Sequence, residues 1–140
     1  MDKVAKHNIE RWNALAEAKA IFTRPHLDFD KDSAQSYLDP EKRLGDIFNK
    51  NVLCLAAGGG QQSVAFALLG ANVTVIDISD AQLKRDAEAA AHYGLSLKLI
   101  QGDMRDLSHF ERDSFDIVWH PYSLNIVPDA RVVFKQVARV

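Results

Sequence analysis

The chain of 140 residues has a single cysteine, no long apolar run and no excess of either charge. Cys54 has no partner for an internal disulfide, which favours a reducing, cytoplasmic setting. Because no run of about 18 apolar residues occurs, the sequence predicts no membrane-spanning helix. A formal net charge of −2 predicts neither nucleic acid nor a membrane surface as the main partner.

Several common catalytic signatures are also absent. The histidines lack the spacing of metal ligands, so no metal site is predicted. No Gly-x-Ser-x-Gly turn indicates a hydrolase nucleophile, and no phosphate-loop lysine indicates a nucleotide-hydrolysing site.

The first part of the chain is predicted to be helical. From Lys3 to Ile21, apolar residues recur at helical spacing. Thr23–Asp32 is expected to be a loop. Asp39-Pro40-Glu41 has a capping acid followed by proline at the first helical position, which predicts a short helix ending near Phe48.

The rest of the chain alternates short apolar runs with helical spacing, which predicts a parallel sheet with right-handed crossovers. The expected fold class is α/β: a three-layer, Rossmann-like parallel sheet with helices on both faces and an N-terminal helical extension. The polar stretch Arg105–Ser114 is expected to be irregular. Strands are predicted at Val52–Ala56, Val73–Ile76, Leu95–Gln101 and Phe115–Trp119, and helices between Gly60 and Gly70, from a Ser79/Gln82 capping box to Gly94, and from Asp129 to Arg139.

A glycine triplet follows the first predicted strand, and an acid ends the second. Gly58–Gly60 would let a ligand approach the backbone closely, and Asp77 could accept hydrogen bonds from both hydroxyls of a ribose. In such sheets ligands bind at the carboxyl ends of the strands, an edge that would also collect Asp103 and His120. This pattern predicts a site for a nucleoside cofactor.

These blocks resemble the motifs of class I methyltransferases that use S-adenosylmethionine (SAM). Val52–Gly60 resembles the family's first motif, and Val75–Ser79 resembles its second-strand motif. Gly102–Met104 resembles the third motif, and Phe115–Trp119 resembles the fourth strand. The motifs occur in the family's order and at its spacing. The resemblance implies SAM as the cofactor.

The resemblance also implies roles for individual residues. The backbone at Gly58 and Gly60 would approach the methionine part of the cofactor, and Asp77 would bind the ribose hydroxyls. Asp103 would accept from the adenine amine, with Met104 against the ring. The full set of residues expected to bind the cofactor is Ala56, Gly58, Gly60, Gln62, Asp77, Ile78, Asp103, Met104 and His120.

Two positions depart from the family's pattern. Cys54 stands where the first strand usually has an acid, and Ala56 replaces the first glycine of the loop. Losing the acid removes a hydrogen-bond acceptor near the cofactor's ammonium group, and Gln61 and Gln62 are the residues expected to compensate. The alternative is that both departures are tolerated with binding unchanged.

Methyl transfer from a sulfonium is an in-line displacement, for which a protein supplies proximity, alignment and exclusion of water. The acceptor is expected beside the loop after the fourth strand. His120 is the expected general base there, because its ordinary pKa is near neutrality, or else it only lines the pocket. The residues expected to shape the acceptor site are Trp12, Tyr37, Tyr122 and Asn125, although Trp12 also fits a purely packing role.

The nature of the acceptor is indicated by the segment His120-Pro121-Tyr122. This segment lacks the Asn/Asp-Pro-Pro-Tyr pattern of nucleic-acid amine methyltransferases. Together with the balanced charge, the difference favours a small-molecule acceptor.

Domains of this family usually have seven strands, whereas four are predicted here. The resemblance therefore implies an N-terminal fragment of a longer enzyme, with a helical cap at residues 1–50 and an incomplete SAM-binding core at residues 51–140. Phe115–Trp119 would then lie at an open sheet edge, through which two copies of the chain could associate.

Two other functions are kept open. A SAM-binding module without catalysis is compatible with an incomplete core. An NAD(P)-dependent oxidoreductase fits less well, because Ser63 stands where a third glycine or alanine would allow close helix packing, and Gly102–Met104 would have no role.

Overall fold

Four parallel strands form one sheet in the computed structural model, which describes residues 1–140. The strands are β1 (Asn51–Leu55), β2 (Asn72–Asp77), β3 (Lys98–Gln101) and β4 (Ile117–Trp119), in the order β3-β2-β1-β4. The helices are α1 (Lys3–Glu17), α2 (Lys31–Leu38), α3 (Gln62–Leu68), α4 (Asp80–Tyr93) and α5 (Ala130–Val137), with single 3-10 turns at Ile21–Thr23 and Ser123–Ile126.

Helices cover both faces of the sheet, which confirms the predicted three-layer α/β fold. Successive side chains of a strand point to opposite faces. Val52 and Cys54 therefore join a buried cluster with residues of α2, α3 and α4. Leu53 and Leu55 join a second cluster on the other face, which includes Val133 of α5. None of the helices is long and apolar enough to cross a membrane.

The central position of β1 determines where the site forms. Leu55 pairs with Ile76 of β2, and Cys54 pairs with Trp119 of β4. Because all three strands run the same way, the loop after β1 lies between the ends of β2 and β4. The glycine loop and Asp77 are thereby brought to one edge of the sheet.

The first helix ends at Glu17, before the predicted end at Ile21. Lys19 adopts a left-handed backbone with φ 54°, and the Ala20 amide donates to the Leu15 carbonyl at 3.0 Å. This closes the helix in the way that a glycine usually does. Since no glycine occurs here, the sequence carried no stop signal.

The predictions for the second helix were wrong. Asp39 ends α2 rather than starting a helix, and its carboxylate accepts from the amides of Arg43 at 2.8 Å and Leu44 at 2.7 Å in a non-helical turn. The actual start lies in the expected loop, at a reciprocal capping box between Asp30 and Ser33.

The capping box predicted at α4 is only half formed. The Ser79 hydroxyl accepts from the Gln82 amide at 3.1 Å, as predicted. The Ser79 amide, however, donates to Asp77 Oδ1 at 2.9 Å, and the Gln82 side chain donates to the Gly58 carbonyl at 3.2 Å. Gln82 therefore connects α4 to the glycine loop.

The remaining elements follow the prediction, with shorter strands at β3 and β4. β4 lies at an edge of the sheet. Beside its start, the Phe115 amide donates to the Val140 carbonyl at 2.9 Å. The last residue of the chain thus lies next to the outer side of the segment that leads into β4.

Ala56 stores backbone strain directly after β1. Its φ is +48°, a left-handed conformation that costs an L-residue about 1–2 kcal/mol. We expect Ala56→Gly to raise the free energy of unfolding by up to about 1 kcal/mol, because the relieved strain exceeds the added entropy of the unfolded chain. Urea denaturation measures the change. Ala57→Gly is the matched control and should destabilise; equal destabilisation by both substitutions would contradict the account.

Candidate functional site

A cavity of about 550 Å³ lies at the carboxyl edge of the sheet. This volume is in the range of small-molecule and cofactor sites. Its lining comes from the loops after β1, β2, β3 and β4 and from the N-terminal helices. The lining residues used below are Asn8, Trp12, Phe22, Tyr37, Ala56, Gly58, Gln62, Asp77, Ile78, Gln82, Asp103, Met104, Arg105, Tyr122 and Asn125.

Asp77 lies at the centre of this edge, and two backbone amides hold its carboxylate. Its carboxylate accepts from the Gly58 amide and from the Ser79 amide, both at 2.9 Å. The side chain is only 8% exposed, and burial raises the pKa of Asp77 above its ordinary value. Two carboxylate oxygens have about four acceptor positions, so acceptor capacity remains for two hydroxyl donors.

Gly58 is required by the close approach of Asp77. A Cβ at this position would lie 2.9 Å from Asp77 Oδ2 and 2.8 Å from Gln82 Cβ, closer than real Cβ atoms come. The absence of a side chain therefore keeps the carboxylate within reach of the cavity.

Gln82 supplies a further acceptor. Its Oε1 is buried and has no hydrogen-bond partner within the protein, although the residue lines the cavity. Such groups usually have a partner, and a ligand donor would provide one. A carboxylate beside an unpaired amide oxygen and apolar lining residues fits the hydroxyl, amine and ring groups of an adenosyl cofactor.

Asp103 lines the cavity but is already paired. The Arg105 side chain donates to both of its carboxylate oxygens, with Nε 3.0 Å from each, and the Arg105 amide donates to Oδ1 at 2.9 Å. Arg105 also forms an ion pair with Asp2, Nη1 to Oδ2 2.6 Å. The predicted contact between Asp103 and adenine must therefore share this carboxylate with Arg105.

Helix α1 crosses the edge of the sheet and is fixed to three loops. Asp2 pairs with Arg105 after β3, and the Asn8 amide group donates to the Ile126 carbonyl after β4 at 3.0 Å. Near the other end of α1, Asn13 Oδ1 accepts from the hydroxyl of Ser79, which follows β2, at 2.6 Å. The helix thereby covers the cavity from the solvent side.

Met104 and His120 contact each other beside the cavity. Met104 lines it, whereas His120 is not among the lining residues. His120 Nε2 lies 3.4 Å from Met104 Sδ, and partial burial lowers the pKa of His120 below its ordinary value. Its role as a general base stays a prediction and requires the ring to turn toward the cavity.

Gly60 also lies outside the cavity lining. Its amide donates to Asp86 Oδ1 at 3.0 Å, and a Cβ here would lie 2.5 Å from the Arg85 carbonyl oxygen. The close approach at Gly60 is therefore to helix α4. The other residues predicted to contact the cofactor, Ala56, Gly58, Gln62, Asp77, Ile78, Asp103 and Met104, all line the cavity.

The four residues predicted to shape an acceptor site line the same cavity. Trp12 packs edge-to-face with Phe22 at a ring distance of 6.0 Å. The Gln62 amide group donates to the Tyr37 hydroxyl at 3.1 Å. Tyr122 is 89% exposed at the rim, beside Asn125.

Sequence reasoning missed three residues of the site. Gln82 was interpreted as half of a capping box and not as a residue that contacts the ligand, and Arg105 was interpreted only as part of an irregular polar loop. Asp86 was not singled out at all, although an acid on the apolar side of α4, among Leu83, Ala89 and Ala90, was an available signal.

Comparison with known proteins gives a consistent result. A family profile described as "Methyltransferase domain" matches residues 53–140. A Bacillus subtilis protein named uncharacterized methyltransferase YbaJ is 41% identical over 135 residues, which cover 92% of this chain and 51% of the relative. A ubiquinone biosynthesis O-methyltransferase of Cronobacter sakazakii is 31% identical over 71% of this chain and 41% of its own length. The chain thus spans about half the length of the curated relatives it matches, or less.

Solved structures share the fold. Magnesium protoporphyrin IX methyltransferase from Synechocystis PCC 6803, solved with bound SAH, has a TM-score of 0.74 at 15% identity, over 96% of this chain and 67% of that one. The PH0226 protein from Pyrococcus horikoshii has a TM-score of 0.66 at 29% identity, over 84% of this chain and 57% of that one.

Proposed function

This chain belongs to the class I SAM-dependent methyltransferases, whose cofactor is SAM, and we propose that its cavity binds SAM for methyl transfer to a small-molecule acceptor. The observation that carries the proposal is Asp77, a buried carboxylate with two oriented amide donors and unused acceptor capacity at the carboxyl end of β2. We also propose that residues 1–50 act as a cap over a core at residues 51–140, which is supported by the three contacts of α1 across the site.

The chain's own residues have distinct tasks in this proposal. SAM, when bound, supplies a methyl group on a positively charged sulfur that leaves readily. Asp77 would accept from the ribose hydroxyls, Gln82 Oε1 would accept from a further donor, and Met104 would pack against the adenine ring. Asp103, oriented by Arg105, would accept from the adenine amine. Helix α1 excludes water, which favours displacement over hydrolysis.

A small, partly aromatic acceptor is supported by the rest of the lining. Trp12, Phe22, Tyr37 and Tyr122 provide ring surfaces, and Asn125 provides an amide. Arg105 is the only lysine or arginine that lines the cavity, and it is already paired with Asp103 and Asp2. Binding of nucleic acid needs several cations for the phosphates, so this cavity favours an uncharged or weakly charged acceptor.

Titration calorimetry with SAM and with NAD is the first test, and saturable binding of SAM alone is expected. Transfer from isotope-labelled SAM to hydroxylated aromatic compounds, small amines and an RNA oligonucleotide then tests the acceptor class. Transfer only to RNA would contradict the small-molecule proposal. SAM binding without transfer to any acceptor would instead identify a binding module without catalysis.

The same assay tests His120 as the base. If His120 removes a proton from the acceptor, the rate should fall as the pH drops through its pKa. Because the pKa of His120 is lowered, the decrease in rate should occur below pH 6.5. This pH dependence should be absent from the His120→Gln variant. An unchanged profile in the variant would assign His120 to packing against Met104.

We further propose a cytoplasmic location, supported by the lone buried Cys54, and association of two copies through the edge strand β4. Fractionation of the native cells tests the first proposal. A monodisperse monomer in solution scattering would contradict the second.

A further inference from the structure

A second buried carboxylate lies behind the glycine loop, on the side away from the cavity. It belongs to Asp86 of α4, which is 0% exposed. Asp86 Oδ2 accepts from the Gly59 amide at 2.9 Å, and Oδ1 accepts from the Gly60 amide at 3.0 Å. The Ser63 hydroxyl at the start of α3 also donates to Oδ1. One side chain thus binds two consecutive loop amides and the helix that follows them.

The loop is therefore held from both sides by acids. Asp77 binds the Gly58 amide from the cavity side, and Asp86 binds the next two amides from behind. Gly59 and Gly60 have φ values of +129° and +72°, which residues with side chains rarely adopt. A backbone with this shape needs its inward amides satisfied, since buried unpaired donors are unfavourable.

The surroundings of Asp86 contain no compensating cation. None of the six ion pairs in the structure includes it. The titratable groups that face it are the Cys54 thiol from β1 and the Asp77 carboxyl from β2. Burial, with a smaller contribution from the Asp77 charge, raises the pKa of Asp86 to about 7. Burial disfavours the ionised form of Asp86, and no cation offsets that cost. The three hydrogen bonds that its carboxylate accepts therefore indicate a role in shaping the loop.

We propose that Asp86 is a positioning residue for cofactor binding: its carboxylate fixes the amides of Gly59 and Gly60 and thereby the shape of the loop that faces the cavity. The proposal rests on the proposed function, because loop shape affects catalysis only if the cavity binds SAM.

The arrangement makes the loop sensitive to pH. Ionised Asp86 accepts from all three donors, whereas the protonated form uses one oxygen to hold its proton. SAM affinity should therefore rise as the pH increases from about 6 to 8. The stability of the fold should change in the opposite direction, because a carboxyl group with a raised folded-state pKa is stabilising when protonated. The free energy of unfolding should therefore decrease as the pH rises from about 4 to 7.

The test compares the wild-type chain with Asp86→Asn, Ser63→Ala and the control Glu88→Gln, which changes an exposed acid on the same helix. Calorimetry gives SAM affinity from pH 6 to 8.5, and hydrogen exchange gives the protection of the Gly59 and Gly60 amides without ligand. At pH 8, Asp86→Asn should bind SAM about tenfold more weakly and lose the loop's protection. Titration of groups on SAM itself affects the wild-type chain and Asp86→Asn equally. The difference between their two pH profiles therefore measures the contribution of Asp86.

Ser63→Ala keeps the carboxylate and covers the case in which Asp86→Asn does not fold. It removes a hydrogen bond that lowers the pKa of Asp86, so the pH midpoint of SAM binding should move upward. Glu88→Gln should match the wild-type chain in every measurement.

The outcomes separate this proposal from the proposed function. If the wild-type chain fails to bind SAM while Asp86→Asn still loses protection at Gly59 and Gly60, the function is wrong and the hold on the loop stands. If wild type binds SAM and Asp86→Asn has the same affinity and pH profile, the positioning role is overturned. Lost protection with unchanged affinity would also overturn it, since Asp86 would then be structural only.

Discussion

Asp77→Ala is expected to weaken SAM binding by about 10- to 100-fold. The ribose hydroxyls would lose a buried, oriented acceptor, and leaving buried donors unpaired costs about 1–3 kcal/mol. Titration calorimetry measures the change. The SAM affinity of Asp77→Asn should lie between those of the wild-type chain and Asp77→Ala, because the amide oxygen of asparagine retains part of the acceptor capacity.

Asp80→Ala is the matched control for this prediction. Asp80 lies three residues further along the chain, is exposed and pairs with Lys84 at 2.7 Å. Its removal should leave SAM affinity unchanged. Asp77→Ala also frees the Gly58 and Ser79 amides, so folding of the variant is checked by thermal unfolding before titration. Wild-type affinity in a folded Asp77→Ala chain would mean that the ribose binds elsewhere.

Gly58→Ala is expected to reduce SAM affinity more than tenfold and to lower the free energy of unfolding by about 1–3 kcal/mol. The new methyl group would lie 2.9 Å from Asp77 Oδ2 and 2.8 Å from Gln82 Cβ. Since neither neighbour is the flexible end of a long side chain, the loop or the carboxylate must move, as in other overpacked sites. Calorimetry and urea denaturation measure the two effects.

Gly45→Ala separates binding from stability in this comparison. Gly45 has a φ of +66° and nothing within 4 Å of its would-be Cβ, so the substitution introduces backbone strain without a clash. It should lower stability by about 1 kcal/mol and leave SAM affinity unchanged. If Gly58→Ala bound SAM as Gly45→Ala does, the close approach at Gly58 would have no functional role.

Much of the site was predictable because its residues lie in local patterns. A strand followed by glycines, and a second strand ending in Asp77, place the loop and the acid at the same edge in any parallel sheet. The fold class followed from the same alternation of strands and helices. The interval between the two blocks is set by one helix and one strand, which needs no knowledge of distant contacts.

The features that were missed depend on contacts between distant parts of the chain. Asp86 meets Gly59 only after α4 packs against the sheet, and Arg105 meets Asp2 only after α1 crosses the edge. The error at Asp39 has a local cause, since an acid before proline is equally suited to binding the amides of a non-helical turn. The end of α1 could not be predicted for a similar reason, because nothing in the sequence indicates that Lys19 adopts a left-handed conformation.

The most direct test of the central claim is a crystal structure of this chain soaked with S-adenosylhomocysteine. The account predicts both ribose hydroxyls within hydrogen-bond distance of the Asp77 carboxylate, and the adenine ring against Met104 near Asp103. Density for the ligand at any place away from Asp77 would contradict it.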